Sequence, residues 1–422
     1  MNRLRNKIVA ILLVAGLLGI GGVAGAMEVV KTPEWELNMR GRMQWFGVAQ
    51  ALQDDFRNDS RLYLFLRQAR LGFFGSLDGT RYNIEMAFAG EEGVVTGTPG
   101  YALGLLDFSA DLPLWDSTYL KVGQFKVPAT LEELTGDGSL LFPERSINYL
   151  GSRMGRDVGA ALVATSGDLR IIAGMFTGGG RDVPERYLPQ DLGTPLLAVR
   201  MGWDTTKEDP FMRTQEAAGV KEAQSSIYFN ALYLRDSLMG HSTVLNVKTS
   251  DRSLLLNTNW NPYLAKSPLS KGQFYQVGAD AAYQVPMAGG VWSTEIEANV
   301  GRAENAYGGV QLAGGRAQSS MTWESWTVGL RYAMLLLDGN FYKGTTQIAD
   351  TRPIHQVTPT VVFQANRFIK LITSLDILAD VPVIMEKNLG AYVATEQPDQ
   401  TGSGTIGRQN VYEAKMLLQV SF

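Results

Sequence analysis

The chain has 422 residues but no cysteine, only two histidines and few charged residues, which make up 19% of its length. Without cysteine it can form no disulfide, thiolate zinc site, iron–sulfur cluster or covalent haem attachment. His241 and His355 are far apart in sequence and offer little to an imidazole metal site or a catalytic triad. The net charge of −4 does not indicate a nucleic-acid partner. With no H-E-x-x-H, P-loop or G-x-S-x-G motif either, the sequence predicts no enzyme and no metal or cofactor.

Residues 1–26 have the three-part plan of an export signal. Three basic residues within 1–7 precede an unbroken run of apolar residues and glycine from Ile8 to Val23. That run has about 16 residues, fewer than the ~20 of a membrane-spanning helix, so a cleaved signal peptide is favoured over an anchor. Cleavage after Ala26 would remove three basic residues and no acid, leaving 35 basic against 42 acidic residues and a charge of −7.

Downstream of the signal, apolar and polar residues alternate strictly. In the segment 35–46, Trp35 and Met43 share one parity, whereas Arg40 lies on the other. A strand places these two sets on opposite faces. The pattern recurs in the segments 81–88, 106–112, 292–300, 326–332 and 412–422, where for example Leu106 and Phe108 fall on the apolar parity. Strands of about 11 residues have the length that a tilted membrane strand requires.

Three features favour a membrane barrel over a soluble sandwich. Turn-rich segments at 91–100, 177–193, 204–219, 305–318 and 386–408 alternate with short connections. Aromatic residues gather at strand ends, as at membrane interfaces: Trp35, Trp45, Phe46, Tyr119, Trp203, Tyr283, Trp292, Trp326, Tyr332 and Tyr412. The sequence also stops within a strand, on Phe422. We predict one all-β domain over 27–422, a transmembrane antiparallel β-barrel of about 16–18 strands with long extracellular loops and short periplasmic turns.

Three blocks resemble the phosphate-selective porin O and P family of Gram-negative bacteria. They are RQARLGFFG at 67–75, GQFKVPATLEELTGDGSLLFPERS at 123–146 and GRDVG at 155–159. The second is the most specific, because the family has a similar G-Q-F-K-x-P, then L-E-E-L, then E-R-S. The resemblance implies an outer-membrane porin, usually trimeric, through which small solutes diffuse passively. It also implies that the barrel-assembly machinery recognises the terminal strand through Tyr412, Met416, Leu418, Val420 and Phe422.

Arginine is abundant on the polar parity of the early strands and in the family-like blocks. We predict that these basic residues line the solute path: Arg40, Arg42, Arg67, Arg70, Lys121, Lys126, Arg145, Arg153 and Arg156. Guanidinium groups stay charged and bind phosphate or carboxylate through two parallel N–H groups, so such a lining favours anions. Alternatively, acids such as Glu85 and Asp107 pair with these arginines and only brace the wall. General passage with an anion bias and true phosphate selectivity both stay open.

The segment 123–146 contains a short helical turn, LEEL, followed by Gly-Asp-Gly. A loop often folds inward in porins, and by this analogy we predict that the segment narrows the channel. The constriction would be acidic, formed by Glu132, Glu133 and Asp137. It would oppose three of the basic residues above, Lys121, Lys126 and Arg145. The alternative is a loop that packs on the barrel wall or on a neighbouring subunit.

Two other functional classes are alternatives to the channel. Some outer-membrane barrels enclose a multihaem cytochrome as part of an electron-transfer conduit, and a barrel without cysteine could be such a sleeve with a cytochrome partner. A membrane-embedded enzyme lacks a recognisable nucleophile and base. GSGTIG at 402–407 matches a dinucleotide fingerprint, but a strand follows it where a helix is required, so we predict a loop. The partners predicted for the channel are outer-membrane lipid and two further copies of the chain, with no nucleic acid.

Overall fold

The structure, a computed structural model, describes residues 27–53, 58–90, 104–152, 154–178, 194–217, 219–235, 273–287, 289–305, 308–339, 341–343, 346–348, 352–388, 391–394 and 405–422. The predicted signal peptide, residues 1–26, lies outside the described residues, and so does Arg153. The described chain is mostly strand, with helix confined to short stretches. None of its helices is long and apolar enough to cross a membrane.

The strands are β1 (Met27–Lys31), β2 (Trp35–Gln53), β3 (Asn58–Leu77), β4 (Thr80–Gly90), β5 (Gly104–Trp115), β6 (Thr118–Lys126), β7 (Arg156–Ser166), β8 (Leu169–Phe176), β9 (Thr194–Asp204), β10 (Gln224–Arg235), β11 (Gln273–Met287), β12 (Gly290–Asn305), β13 (Gly308–Trp323), β14 (Trp326–Gly339), β15 (Phe341–Lys343), β16 (Thr346–Ile348), β17 (Ile354–Gln364), β18 (Ile369–Asn388), β19 (Ala391–Ala394) and β20 (Thr405–Ser421). Between β6 and β7 lie α1 (Leu131–Leu134), a 3₁₀ helix (Asp137–Ser139) and α2 (Ile147–Ser152).

Sixteen of the described strands form one closed antiparallel barrel. The strands β2 to β14, then β17, β18 and β20, each pair with the next one around the ring, and β20 pairs with β2 to close it. The short β1 continues the wall beside β2 where β20 has ended, and β19 pairs with the far end of β18. Closure pairs every barrel strand on both sides, which is what a hydrocarbon environment demands of a sheet. The predicted fold class is confirmed, at the lower bound of 16–18 strands.

Alternation along the strands separates a lipid-facing surface from the lumen. In β2, Met43 and Trp45 are exposed on the outer face, while Gln44 and Gln50 are buried inside. Exposed Leu, Ile, Val, Met and aromatic side chains recur on every part of the outer wall. Such a band matches the hydrocarbon core of a bilayer, and the polar parity is left to line the interior.

Three side chains do not lie on the predicted outer face. Leu106 is fully buried, because a bulge shifts the register between β4 and β5 and exposes Leu105 instead. Phe46 is buried inside the barrel, and Tyr119 lies under the guanidinium of Arg81. The other predicted aromatic residues are exposed on the outer wall: Trp35, Trp45, Trp203, Tyr283, Trp292, Trp326, Tyr332 and Tyr412.

The two ends of the barrel differ in their connections. At one end, the connections 78–79, 116–117, 167–168 and 324–325 have two residues each. The first residue of β2 and the last residue of β20 also lie at this end, which we name the turn end. Outer-membrane barrels place their short turns on the periplasmic side, so the turn end is the periplasmic one. One long connection, 205–223 between β9 and β10, departs from this plan, because it also starts at the turn end.

The outer face of β20 carries four residues of the predicted insertion signal, Tyr412, Met416, Leu418 and Val420, and Phe422 follows directly after the strand. The ring of Phe422 lies over Gly41 of β2, where a Cβ atom would be only 2.1 Å from Cζ of the ring. A side chain at position 41 would therefore displace the Phe422 ring from this place. Two backbone hydrogen bonds of 2.8 and 3.0 Å join the same residues. Recognition of this strand by the assembly machinery stays a prediction.

Candidate pore and its constriction

The connection between β6 and β7, residues 127–155, lies inside the barrel and is named here the inner segment. Thr130 caps α1 by accepting a hydrogen bond of 3.2 Å from the backbone N–H of Glu133. Leu134 and Thr135 have no exposed surface at all, and Phe142 is buried as well. Hydrogen bonds join the segment to strands around the wall, including β2, β6, β9, β12, β17 and β20. The inner segment therefore crosses the lumen.

An apolar face of the inner segment packs against the barrel interior. Val127, Leu134 and Ile147 belong to one buried cluster with Phe176 of β8 and Leu232 of β10. Apolar side chains in contact with lumen water are unfavourable. Burying each one away from water stabilises the structure by about 1.5–3 kcal/mol. This part of the lumen is therefore a packed core rather than an open channel.

A buried carboxylate fixes α1 to β13 and β14, named here the far wall of the barrel. Glu132 has no exposed surface, and its oxygens lie 3.4 Å from Nε of Arg316 on β13 and 3.6 Å from Nη1 of Arg331 on β14. It also accepts hydrogen bonds of 2.7 and 2.6 Å from the backbone N–H and hydroxyl of Ser146. Burial alone would raise the pKa of Glu132, but the two guanidinium groups and Ser146 lower it overall. Glu132 therefore stays ionised and ties two parts of the inner segment to the wall.

A second ion cluster fixes the inner segment near the seam between β20 and β2. Nζ of Lys415 lies 2.6 Å from a carboxylate oxygen of Asp376 and 2.7 Å from one of Glu413, and it also contacts Glu144 of the inner segment. Carboxylate oxygens of these three acids lie within 4.8 Å of one another, a spacing that could suit a metal ion. The ammonium group of Lys415 is the cation that they share, so the cluster is an anchor.

Asp137 of the 3₁₀ helix pairs with two arginines. One of them, Arg70, lies on the wall formed by β2, β3 and β4, named here the near wall. One of its oxygens is 2.5 Å from Nη2 of Arg70 on β3, and the other contacts Nη1 of Arg145. Burial alone would raise the pKa of Asp137, but Arg145 and Arg70 hold it well below its usual range. Arg145 also donates hydrogen bonds of 3.0 and 2.7 Å to the backbone carbonyls of Glu132 and Thr135. These contacts fold the inner segment onto itself.

We expect mild acidification to leave the inner segment in place. The pKa values of Glu132 and Asp137 are both lowered, so their ionic contacts are fully present above the ordinary pKa values of about 4 and are lost only as the pH falls further. Amide hydrogen exchange, corrected for its intrinsic pH dependence, should therefore keep the protection of the Glu132 and Ser146 amides between about pH 8 and about pH 5. A loss of that protection within the interval would contradict this assignment.

The connection 205–223 enters the lumen from the turn end and is named here the turn-end segment. Its base is fixed by Asp204, whose carboxylate accepts hydrogen bonds from Arg170 at 3.1 Å, Arg213 at 2.6 Å and Tyr228 at 2.7 Å. Phe211 is buried, although it belongs to a connection. A connection with a buried aromatic ring and a buried ion cluster has a defined position within the barrel.

The two segments are hydrogen-bonded to each other. The backbone N–H of Arg213 donates to the carbonyl of Leu134 at 3.1 Å, and the N–H of Gly136 donates to the carbonyl of Arg213 at 3.0 Å. The side-chain oxygen of Gln215 accepts a hydrogen bond of 3.1 Å from the backbone N–H of Leu141. The inner segment and the turn-end segment thus form one body inside the lumen, built from both ends of the barrel.

Beside this body lies a cavity of about 860 Å³, named here the vestibule. Glu324 and Phe368, which belong to turn-end connections, are part of its lining, so it lies at the turn end. Its charged lining has ten basic side chains, Arg40, Arg42, Arg70, Arg81, Lys121, Lys126, Arg156, Arg213, Arg367 and Lys370. It has seven acidic ones, Glu85, Asp107, Asp111, Asp137, Asp209, Glu216 and Glu324.

Most of the predicted basic residues come together here. Six of the nine line the vestibule: Arg40, Arg42, Arg70, Lys121, Lys126 and Arg156. Arg67 and Arg145 instead donate hydrogen bonds to backbone carbonyls of the inner segment. The sequence pattern missed Arg213, Arg367 and Lys370, because a connection or a distant strand carries no signal of where it meets the lumen.

The three predicted acidic residues do not lie together in the structure. Asp137 lines the vestibule, as expected for a residue near the solute path. Glu132 faces Arg316 on the far wall, and the carboxylate of Glu133 accepts a hydrogen bond of 3.2 Å from the backbone N–H of Gly155. Both glutamates are buried, and buried carboxylates need donors within the protein. The structure therefore places two of the three acids away from the vestibule, where they hold the segment in position.

Residues 37–187 match the family described as phosphate-selective porin O and P. The fold is similar to that of OprB from Pseudomonas putida, with a TM-score of 0.52, 11% identity and 94% of each chain covered. In-vitro folded OmpT of Vibrio cholerae, in a trimer form, gives a TM-score of 0.51 at 9% identity, covering 92% of this chain and 100% of that one. The outer-membrane channel DcaP of Acinetobacter baumannii gives 0.50 at 13% identity, covering 96% and 100%. No curated protein sequence matches.

The family match confirms the resemblance, because all three sequence blocks lie within the matched residues. At 13% identity or less, the solved structures bear on the fold alone. The family match favours a channel over an enzyme. The chain is an outer-membrane β-barrel of a Gram-negative bacterium, and its residues 37–187 match the phosphate-selective porin O and P family.

Proposed function

We propose that the protein is a passive channel for small hydrophilic solutes and that it prefers anions to cations. The observation that carries the preference is the charge of the vestibule, where ten basic side chains face seven acidic ones. Lys and Arg groups that outnumber acids along a narrow path attract anions and repel cations. The net charge of the whole chain matters less, because charges farther away than about 8–10 Å are largely screened by salt.

The pairing of these charges supports the same preference. Several acids are shared between two cations, which leaves a local excess of positive charge even where ion pairs form. The shared pairs have distances of 2.8–3.3 Å: Glu85 lies between Arg40 and Arg70, and Asp111 lies between Arg81 and Lys121. The side chains of Arg40 and Arg81 keep 22% and 53% of their surface exposed. They are therefore in reach of a passing solute.

Neutralising these two arginines is expected to weaken the anion preference. In planar bilayers with a KCl gradient, the wild type should give a reversal potential on the anion-selective side. The double variant Arg40→Gln/Arg81→Gln should lower the anion-over-cation permeability ratio by about threefold, because two of the accessible positive charges are removed. Lys221→Gln is the matched control, since Lys221 is exposed on the turn-end segment but does not line the vestibule. An unchanged reversal potential in the double variant would remove the proposal.

The same proposal includes the assembly of the protein. OmpT of Vibrio cholerae is described in a trimer form, and we propose that this chain also forms a homotrimer in outer-membrane lipid. The aromatic end of β20 is proposed as the signal through which the barrel-assembly machinery inserts each copy. Chemical cross-linking in membranes tests the trimer, and removal of Phe422 tests the signal through the amount of heat-modifiable barrel.

A cytochrome sleeve has less support. A sleeve needs a lumen wide enough for a folded haem protein, but the inner segment crosses the lumen and is bonded to the turn-end segment. The vestibule that remains beside them has about 860 Å³, the size of a small-molecule site and far less than a protein domain occupies. Solute passage therefore fits the described part of the chain better.

A further inference from the structure

The vestibule is lined by apolar groups as well as by charges. Phe74, Tyr82, Phe211, Met212 and Phe368 share its wall with the basic side chains. Met212 of the turn-end segment is 46% exposed, whereas its neighbour Phe211 is buried in the body of the segment. An exposed thioether beside cations offers nothing to a fully hydrated inorganic ion, but it offers contact to an apolar group.

Arg40 lies at the junction of the charged and the apolar lining. Its Cζ atom is 5.1 Å from the ring centroid of Phe74, and its Nη2 donates a hydrogen bond of 3.3 Å to Glu85. The other terminal nitrogen, Nη1, lies 3.8 Å from Sδ of Met212, and a thioether is a weak acceptor. One edge of the guanidinium is thus tied to the wall by a carboxylate. The other edge faces the thioether of Met212, a weak acceptor that the carboxylate of a solute would readily replace.

A glycine makes this position of Arg40 accessible. Gly72 of β3 is the direct strand partner of Arg40, and a Cβ atom there would lie 3.0 Å from Nε and 3.1 Å from Cγ of Arg40. A larger residue would push the side chain away from the wall. The sequence therefore allows the guanidinium to lie beside Phe74, with its Nη1 edge toward Met212.

We propose that the vestibule binds organic anions that carry an apolar body, with aromatic carboxylates as the type. The carboxylate binds the Nη1 edge of Arg40 through charge-assisted hydrogen bonds, and the apolar body covers Met212. A volume of about 860 Å³ is within the range of small-molecule sites. Inorganic phosphate can make only the first of these contacts. The inference rests on the proposed anion channel, because the solute reaches the site through it.

Three anions distinguish the contribution of the carboxylate from that of the apolar body. Acetate and benzoate carry the same carboxylate and differ in the apolar body, and inorganic phosphate carries charge without one. Each is added to purified protein in planar bilayers, and its half-blocking concentration is read from the chloride current. Benzoate should block the wild type at about tenfold lower concentration than acetate, because burying part of the ring adds to the carboxylate contact. Phosphate should not block more strongly than benzoate.

Three variants test whether Met212 contacts the apolar body and Arg40 the carboxylate. Met212→Asn should bring the half-blocking concentration of benzoate close to that of acetate, while Met212→Leu, which keeps an apolar side chain, should leave the difference intact. Arg40→Gln should weaken the block by both carboxylates. Met212 is exposed on a connection, so its two substitutions leave the barrel pairing untouched. Heat-modifiability on gels checks that each variant folds.

Three results would overturn the inference. One is equal block by benzoate and acetate in the wild type, and another is a benzoate advantage that persists in Met212→Asn. Tighter block by phosphate than by benzoate would assign the vestibule to inorganic oxyanions instead. The proposed function fails separately, through the absence of anion preference in a KCl gradient that contains no organic anion.

Discussion

Replacing Glu132 with glutamine is expected to free the inner segment from the far wall and to give a channel of larger, noisier conductance. Arg316 and Arg331 have no exposed side-chain surface to speak of, at 0% and 1%, and both lie against the Glu132 carboxylate. Removing the carboxylate partner of a buried cation costs about 3–5 kcal/mol. That cost arises at Arg331, whereas Arg316 keeps its ion pair of 2.8 Å with Glu295. The barrel strands pair through their backbones, so this cost falls on the docking of the inner segment.

Two measurements test whether the inner segment is released from the wall. Single-channel recordings should show a higher mean conductance and more open-channel noise, and amide hydrogen exchange should lose protection over residues 130–148 with the strands unaffected. Glu133→Gln is the matched control, because Glu133 is adjacent, also buried, and accepts a hydrogen bond from Gly155 that glutamine can also accept. Equal effects of the two substitutions would contradict the anchoring role of Glu132.

The sequence predicts the wall of the barrel well, for a physical reason. A strand repeats every two residues, so Met43 and Trp45 on one parity and Arg40 and Arg42 on the other must take opposite faces. The bilayer then selects which face is outside, because only the apolar parity tolerates hydrocarbon. The prediction is wrong where a bulge interrupts the period, as at Leu106, since one inserted residue exchanges the two faces.

The interior is less predictable because its contacts are distant in sequence. Glu132 meets Arg316 and Arg331, which lie on strands nearly 200 residues later, and alternation alone gives no information about that pairing. The turn-rich composition of 204–219 indicates a connection but not that the chain re-enters the lumen from the turn end. The family-like block at 123–146 did indicate an inward loop, yet only the folded structure separates anchoring acids from those on the solute path.

The basic residues therefore fall into two groups with different expected phenotypes. Arg316, Arg331 and Lys415 are buried on the far wall and at the seam, where they hold the acids of the inner segment. Arg40 and Arg81 remain partly exposed on the near wall, where they face the vestibule. Substitutions in the first group should change the stability and width of the channel. Substitutions in the second group should change its ion preference at nearly constant width.

Removing the turn-end segment is expected to widen the channel at its periplasmic end. Asp204 of β9 pairs directly with Ser226 of β10, so an Asn-Gly turn can replace residues 205–225 and close the hairpin. The replacement removes Phe211, Met212 and Arg213 from the vestibule wall. We expect single-channel conductance to rise about twofold or more, because the narrowest part of a pore limits its conductance. The benzoate-over-acetate difference should disappear as well, since Met212 is lost.

A matched variant keeps the segment and changes only its exposed part. Replacing residues 220–223 by Gly and Ser alters a stretch of the same connection that lies outside the vestibule lining. This variant should keep the conductance and anion preference of the wild type. The inner segment should stay docked in both variants, because Glu132 and Lys415 still hold it to the wall. If the Asn-Gly variant folds into a heat-modifiable barrel and its conductance equals that of the wild type, the turn-end segment does not restrict the solute path.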